Sequence, residues 1–187
     1  MNGVVSTPSA RLAGRDVKDF YLNTPQKKNR YVKVRSKYIT EETIRKHNLE
    51  QYIEDNGWLH FEIRKGMYGI LEAGRLANDL LQATTKKHGY IEATNTPGYW
   101  KHIWKPISWT LIADDFGFKY TNKRHVDELI KIMSQWYVMK MDWEGTSFGG
   151  ITLKWNHYGE RWVELSLPGY IDKILAQFRH PQPKIPQ

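Results

Sequence analysis

The sequence contains no cysteine and no apolar run long enough to cross a membrane. The lack of cysteine excludes disulfides, cysteine-based zinc sites, iron–sulfur clusters and thiol catalysis. A membrane span needs roughly 18–20 consecutive apolar residues, and residues 1–10 have neither the basic start nor the apolar core of a signal peptide. We therefore expect no membrane partner and an intracellular location, either cytoplasmic or nuclear.

What the chain does contain is aromatic residues and positive charge. Of its 187 residues, 40% are hydrophobic and 13% aromatic, which is too apolar for a disordered protein. The length predicts one domain, which we expect over residues 16–179, after a poorly ordered segment 1–15 and before a Pro-rich tail 180–187. With 28 Lys and Arg against 20 Asp and Glu, the net charge of +8 favours polyanionic partners such as nucleic acid.

Hairpin patterns alternate with helical patterns along the chain. Strands are predicted around residues 16–22, 27–37, 58–64, 99–104, 107–113, 116–120, 147–155 and 162–165. Helices are predicted over 40–54 with Thr40 as N-cap, over 70–87, from Asn122 to about 137, and after Pro168. This order is typical of an α+β fold, with an antiparallel sheet covered on one face by two or three helices.

Two adjacent acids, Asp114 and Asp115, follow an apolar strand at a predicted hairpin tip. Asp is common in turns because its side chain bonds nearby backbone N–H groups, so a purely structural role is one interpretation. Asp16, at the end of another apolar segment, would bring a third carboxylate to the same place. Three carboxylates repel one another unless cations lie between them, and two Mg²⁺ (or Mn²⁺) ions bound this way suit phosphoryl transfer.

A basic run covers residues 27–37, where six side chains are cationic and none is acidic. The cations are Lys27, Lys28, Arg30, Lys33, Arg35 and Lys37. Tyr31 and Tyr38 are interleaved with them, as in surfaces that bind a nucleic-acid backbone and stack on bases. The alternative is a solvated edge strand on which Lys deters aggregation.

Six segments together resemble the reverse transcriptase domain of copia-type retrotransposons. Asp16-Val-Lys-Asp-Phe-Tyr-Leu-Asn23 resembles the polymerase A motif, residues 65–75 (KGMYGILEAGR) resemble the B region K-S-x-Y-G-L-K-Q-A-P-R, and Ile112-Ala-Asp-Asp115 resembles the C motif. Residues 139–145, 148–152 and 165–175 resemble three further stretches in the same order. The chain differs from the family pattern at Glu72, Gly74 and Ile112, where Gln, Pro and Tyr are usual.

The resemblance implies a polymerase palm with part of the fingers and the start of the thumb, truncated relative to the family enzyme. It implies RNA-directed DNA polymerase activity on an RNA or DNA template-primer with deoxynucleoside triphosphates, and other polyprotein domains as possible partners. Asp16, Asp114 and Asp115 would bind two Mg²⁺ ions and carry catalysis. Among substrate-binding residues, Tyr21 would exclude a ribose 2′-OH, Gly69 and Arg75 would lie along the template and incoming nucleotide, and Lys140 would protonate the leaving pyrophosphate.

Two other functions are compatible with the same residues. One is an inactive retroelement relic that keeps the fold and the basic surface and only binds nucleic acid. The other is a metal-dependent nuclease built on the same acids.

Overall fold

The structure is a computed structural model that describes residues 1–180, except for the side chains of Arg15 and Asp16. The predicted tail therefore lies almost wholly outside the described residues. One domain was expected over 16–179, but the chain divides into two compact units. The first unit combines Met1–Lys18 with the chain from Gln82 onward, and the second is Asp19–Leu81.

The described residues form five α-helices and ten strands, as an α+β fold with antiparallel sheets. The helices are α1 (Asn2–Val5), α2 (Glu41–Lys46), α3 (Ala73–Lys86), α4 (Lys123–Met133) and α5 (Tyr170–Gln177). The strands are β1 (Arg11–Asp16), β2 (Tyr31–Arg35), β3 (Trp58–Glu62), β4 (Tyr90–Ala93), β5 (Thr96–His102), β6 (Ile107–Ile112), β7 (Asp115–Tyr120), β8 (Ser147–Phe148), β9 (Ile151–Asn156) and β10 (Trp162–Ser166). None of these helices is both long and apolar enough to cross a membrane.

The first unit is built on a five-stranded sheet in the order β1-β7-β6-β5-β4. One row of paired residues, Ala13, Phe118, Trp109 and Trp100, is buried across four strands. The two indole rings stack with centroids 4.0 Å apart, and α4 packs against β7 with Val126, Leu129 and Met133 buried. Because paired residues share a face of the sheet, this row forms one apolar layer in the core of the first unit.

The opposite face of the same sheet is also partly covered, which the sequence did not predict. A three-stranded sheet, β10-β9-β8, belongs to this unit, and Leu12 on the opposite face joins Val4, Ala10 and Leu153 in a second small core. The predicted strand 147–155 is split at Gly149 and Gly150, both with positive φ. The expectation of one sheet with helices on one face is therefore corrected to sheets with packing on both sides.

Two segment predictions differ from the structure for local reasons. Residues 1–15 were expected to be poorly ordered, but they contain α1 and most of β1. Because Ala13 and Gly14 are small, β1 lacks the alternation of large apolar and polar residues by which a strand is recognised in a sequence. The helix predicted over 40–54 begins at the Thr40 N-cap but ends at Lys46, followed by Asn48 with a φ of 49°. A left-handed residue at that point stops an α-helix.

His102 is a buried imidazole whose geometry requires the neutral form. Its Nδ1 accepts hydrogen bonds from the backbone N–H groups of Trp104 and Lys105 at 3.2 and 3.1 Å. Burial, with the Lys105 charge, lowers the pKa of His102 below its usual value. A protonated Nδ1 can no longer accept these bonds, so charging the ring is unfavourable in the folded state.

We therefore expect stability to depend on pH through this residue. Since the unfolded imidazole takes up a proton near pH 6.5, the contribution of His102 is complete above about pH 6.5 and is lost as the pH falls below it. Denaturant unfolding at several pH values between 5 and 7.5 gives the free energy of unfolding as a function of pH. This free energy should rise less steeply with pH in His102→Gln than in the wild type. The exposed control His47→Gln should keep the wild-type slope; a slope unchanged by His102→Gln would contradict the prediction.

Candidate functional site

The two adjacent acids lie where predicted, at the tip of the β6–β7 hairpin. Ile112 pairs with Asp115, which leaves Ala113 and Asp114 as a two-residue turn. Ala113 has a φ of 57°, a left-handed conformation that costs roughly 1–2 kcal/mol for a residue with a Cβ. The strained turn leaves Ile112 54% exposed and the two acids partly exposed. Such strain is characteristic of functional sites.

The backbone of Asp16 lies beside this tip. In the antiparallel pairing of β1 with β7, Asp16 is the register partner of Asp115, and the N–H of Val17 donates to the carbonyl of Asp114 at 3.1 Å. Cα atoms paired in this way are about 4.5–5.5 Å apart. The segments predicted as A and C motifs are therefore neighbours, although nearly 100 residues separate them in the chain.

Lys140 belongs to a segment along the outer edge of β1. Isolated bridges join Val17 to Met139 and Gly14 to Asp142. Counting inward from both bridges puts residue 140 across from residue 16, so positions 140, 16, 115 and 112 form one row across the sheet. The exposed Lys140 and the acid positions are thus brought together by the backbone register alone.

Asp142 organises the loop that follows Lys140, a role that the sequence analysis missed. Its carboxylate accepts hydrogen bonds from the backbone N–H groups of residues 144–147 and from the Thr146 hydroxyl. An Asp followed by Gly and Thr within four residues is the sequence signal for such a turn. The loop is thereby held against β1, because Asp142 also exchanges two backbone hydrogen bonds with Gly14.

The two acids of the tip have different surroundings. The Asp115 carboxylate accepts a hydrogen bond from the backbone N–H of Gly149, in the turn between β8 and β9. Gly117, two residues along β7, has no Cβ, and one placed there would lie 2.9 Å from the Phe148 ring. The β8–β9 hairpin is therefore seated against β7 directly behind the acids.

The donor chemistry at this tip suits a hard divalent cation. Carboxylate oxygens are the ligands that Mg²⁺ and Mn²⁺ prefer, and Asp114 and Asp115 present them at a partly exposed position beside the Asp16 backbone. Among the described side chains, which leave out that of Asp16, no three His, Cys, Asp or Glu are grouped as a metal site. Asp114 and Asp115 with residue 16 are the positions that would hold the metal.

In the second unit, the Tyr21 side chain lies beside the first turn of α3. The rings of Tyr21 and Tyr68 meet edge to face with centroids 4.8 Å apart. A Cβ on Gly74 would lie 3.8 Å from the Tyr21 ring, whereas a Cβ on Gly66 would lie 2.6 Å from the Tyr21 carbonyl oxygen. The absence of a Cβ at Gly66 and Gly74 thus allows residues 65–75 to lie close to Tyr21.

These two glycines provide a matched test of that packing. Gly66→Ala forces a backbone shift and should lower the free energy of unfolding by about 1–3 kcal/mol, as overpacking does. Gly74→Ala meets only ordinary contacts at a helical position and should raise it by up to about 1 kcal/mol. Urea unfolding of both variants checks the difference, and equal effects would contradict the assigned packing.

The basic run forms one strand of a two-stranded ribbon, β2 with β3. Tyr31, Lys33 and Arg35 lie on its exposed face, and Tyr31 is 65% exposed. The Lys33 ammonium and the Arg35 guanidinium lie 4.9 and 4.8 Å from the centroid of the Trp58 ring. Cations held over a partly exposed aromatic ring form a surface suited to phosphates and bases.

The other residues predicted to bind nucleic acid or substrate do not lie on the exposed face of the β2–β3 ribbon. Lys27 and Lys28 are exposed before β2, and Lys37 lies 5.0 Å from the Tyr38 ring centroid. Arg30 does not belong to the exposed ribbon face, because its guanidinium binds Glu72. Arg75 forms an ion pair with Asp79 at 3.3 Å. Gly69 has a φ of 90° and open space around it.

Comparison with known proteins adds no family to this geometry. No protein-family model matches the sequence, and no curated protein matches it significantly.

Proposed function

We propose that the chain is a templated nucleotidyltransferase, an RNA-directed DNA polymerase domain of copia-retroelement type with a palm fold. The observation that carries the proposal is the row of positions 140, 16, 115 and 112, with Asp114 at its tip. It unites residues from three of the segments whose sequences resemble polymerase motifs. Template-primer and deoxynucleoside triphosphates are the substrates under this proposal.

In this function the role of the acids is to bind and position the metal ions. Asp114 and Asp115, with Asp16, would hold two Mg²⁺ ions, which supply charge neutralisation for the attacking hydroxyl and the leaving pyrophosphate. The bond from Gly149 limits how far the Asp115 carboxylate can move. Lys140, across from residue 16, is the proton donor to the pyrophosphate, since an exposed ammonium carries a transferable proton that carboxylates lack.

The second unit, taken by itself, carries side chains of the kinds that bind nucleotides and template strands. Tyr21, held by Tyr68 and by the first turn of α3, is a bulky side chain of the kind that excludes a 2′-OH. The exposed face of the β2–β3 ribbon supplies cations and aromatic rings for the template backbone and bases.

Primer extension tests the proposal. The purified chain is given a homopolymer RNA template with an annealed DNA primer, dTTP, and Mg²⁺ or Mn²⁺. Metal-dependent incorporation supports the polymerase. Salt-sensitive binding of the template without incorporation would contradict the polymerase and support the relic that only binds nucleic acid. Degradation of the template would contradict the polymerase and support the nuclease.

A further inference from the structure

Two lysines flank a buried serine on the face of the five-stranded sheet that lies opposite the stacked Trp100 and Trp109 rings. Lys101 in β5 pairs with Ser108 in β6, and Ser108 pairs with Lys119 in β7. Because paired residues share a face of the sheet, these three side chains form one row across adjacent strands. Neighbouring strands are about 4.8 Å apart, so the two lysines lie on either side of the short serine side chain.

This row lines a cavity of about 240 Å³ at the end of β6 that is remote from the hairpin tip. Thr7 and Thr121 add two hydroxyl groups to the lining, and no Asp or Glu among the described residues belongs to it. Ser108 lies four positions before Ile112, which is roughly 13 Å along the strand, so the cavity is separate from the acids of the tip. The cavity therefore has a surplus of positive charge.

The polar groups of this cavity are available to a ligand. Ser108 is only 7% exposed, and no residue that the structure describes forms a hydrogen bond with its hydroxyl. A largely buried hydroxyl without a partner is unfavourable, and a bound acceptor would remove that cost. The Lys119 ammonium donates a hydrogen bond to the Thr7 hydroxyl at 2.8 Å and has no carboxylate partner among the described residues. The ammonium is thus held in place while two of its three donors remain unused.

A second, more apolar cavity of about 440 Å³ adjoins the first, because Ser108 and Lys119 line both. Val4, Leu12 and Tyr99 contribute apolar surface to this second cavity. Cavities of about 300–1,000 Å³ that combine apolar walls with a few converging polar groups are typical of small-molecule sites. A ligand that fits both cavities therefore has an anionic head and an apolar body.

The charge and number of the donors favour a phosphate monoester as the anionic head. A phosphate monoester carries close to two negative charges and three free oxygens, which match two ammonium groups and the Ser108 hydroxyl. A carboxylate has one charge and two oxygens, and each phosphodiester of a nucleic-acid backbone has only one charge. We propose that the row Lys101, Ser108 and Lys119 binds the phosphate of a small monoester whose apolar or aromatic body occupies the adjoining cavity. This site does not depend on the proposed polymerase function.

Calorimetric titration of the whole chain with two phosphate monoesters tests the site. Phenyl phosphate has the head and the aromatic body that the two cavities predict, whereas glycerol phosphate has the same head with a polar body. The wild type should bind phenyl phosphate at least about threefold more tightly, because only its ring gains from burial against apolar surface. No binding of phenyl phosphate would overturn the proposal, and equal affinity for both esters would overturn the assignment of the apolar body.

Substitutions in the row separate specific binding from a general effect of charge. Lys101→Gln, Lys119→Gln and Ser108→Ala should each weaken binding of phenyl phosphate by about tenfold or more, as expected for hydrogen bonds to a charged group. Lys131→Gln removes one positive charge at an exposed position on α4 and should bind like the wild type. Equal losses in Lys101→Gln and Lys131→Gln would overturn the site, because net charge alone would then explain them.

A single-stranded oligodeoxynucleotide without terminal phosphates tests the other source of phosphate. Its binding should be the same in the wild type and in Ser108→Ala, and it should not displace phenyl phosphate. If it displaces phenyl phosphate and binds Ser108→Ala more weakly, the ligand is a phosphodiester and the assignment to a small monoester is wrong. Thermal unfolding verifies that each variant is folded. Because Lys101 is exposed, Lys101→Gln keeps the proposal testable even if Ser108→Ala does not fold.

Discussion

Asp114→Asn should abolish metal-dependent primer extension while leaving the fold intact. The substitution keeps the size and one acceptor oxygen of the side chain but removes the charge that attracts Mg²⁺. Loss of a metal ligand should exceed the roughly 10–100-fold effect of losing a residue that only supports one. Because the side chain lies at a partly exposed turn, the thermal midpoint should stay close to that of the wild type.

A matched control excludes a general effect of charge. Asp127→Asn also removes one carboxylate from the first unit, at an exposed position on α4, and should retain wild-type extension. Rates are measured with Mg²⁺ and with Mn²⁺ on the same template. If Asp114→Asn extends primers as fast as Asp127→Asn, the hairpin tip is not the metal site, and the proposed function fails with it.

Gly145→Ala should be among the most destabilising single-methyl additions in the chain. Gly145 has a φ of 61°, and a Cβ there would lie 2.6 Å from the backbone carbonyl oxygen of Leu12 in β1. Left-handed strain of roughly 1–2 kcal/mol then adds to an overpacking cost of about 1–3 kcal/mol. The loop held by Asp142 must move away from β1, and we expect the free energy of unfolding to fall by about 2–5 kcal/mol.

Gly159→Ala separates the two contributions. Gly159 has a similar φ of 58°, but a Cβ there meets no atom within 4 Å. It should therefore show only the strain cost, and the difference between the variants measures the close approach of the loop to β1. Thermal unfolding detects this difference as a shift of roughly 2–4 °C per kcal/mol in a protein of this size. Equal midpoints would mean that the loop does not pack on β1 as described.

Most of the local structure was predictable from residue patterns. The N-caps Thr40 and Asn122 were identified correctly, because a side-chain oxygen before an apolar stripe is a local signal. The β6–β7 hairpin was also predicted, because the strand-like residue patterns on both sides of the two acids are local and can be recognised without knowing any distant contact. By contrast, β4 (Tyr90–Ala93) was missed because its four residues are too few to establish a period.

The sequence by itself determined the α+β class with antiparallel strands and the two acids at a hairpin tip. Only the tertiary structure decided that Asp16 pairs with Asp115, that residue 140 lies across from residue 16, and that Arg30 meets Glu72. The physical reason is that strand register and ion pairing depend on hydrogen bonds and packing between segments far apart in the chain. Periodicity tells which face of a strand is apolar, but it does not tell which residue of another strand lies opposite.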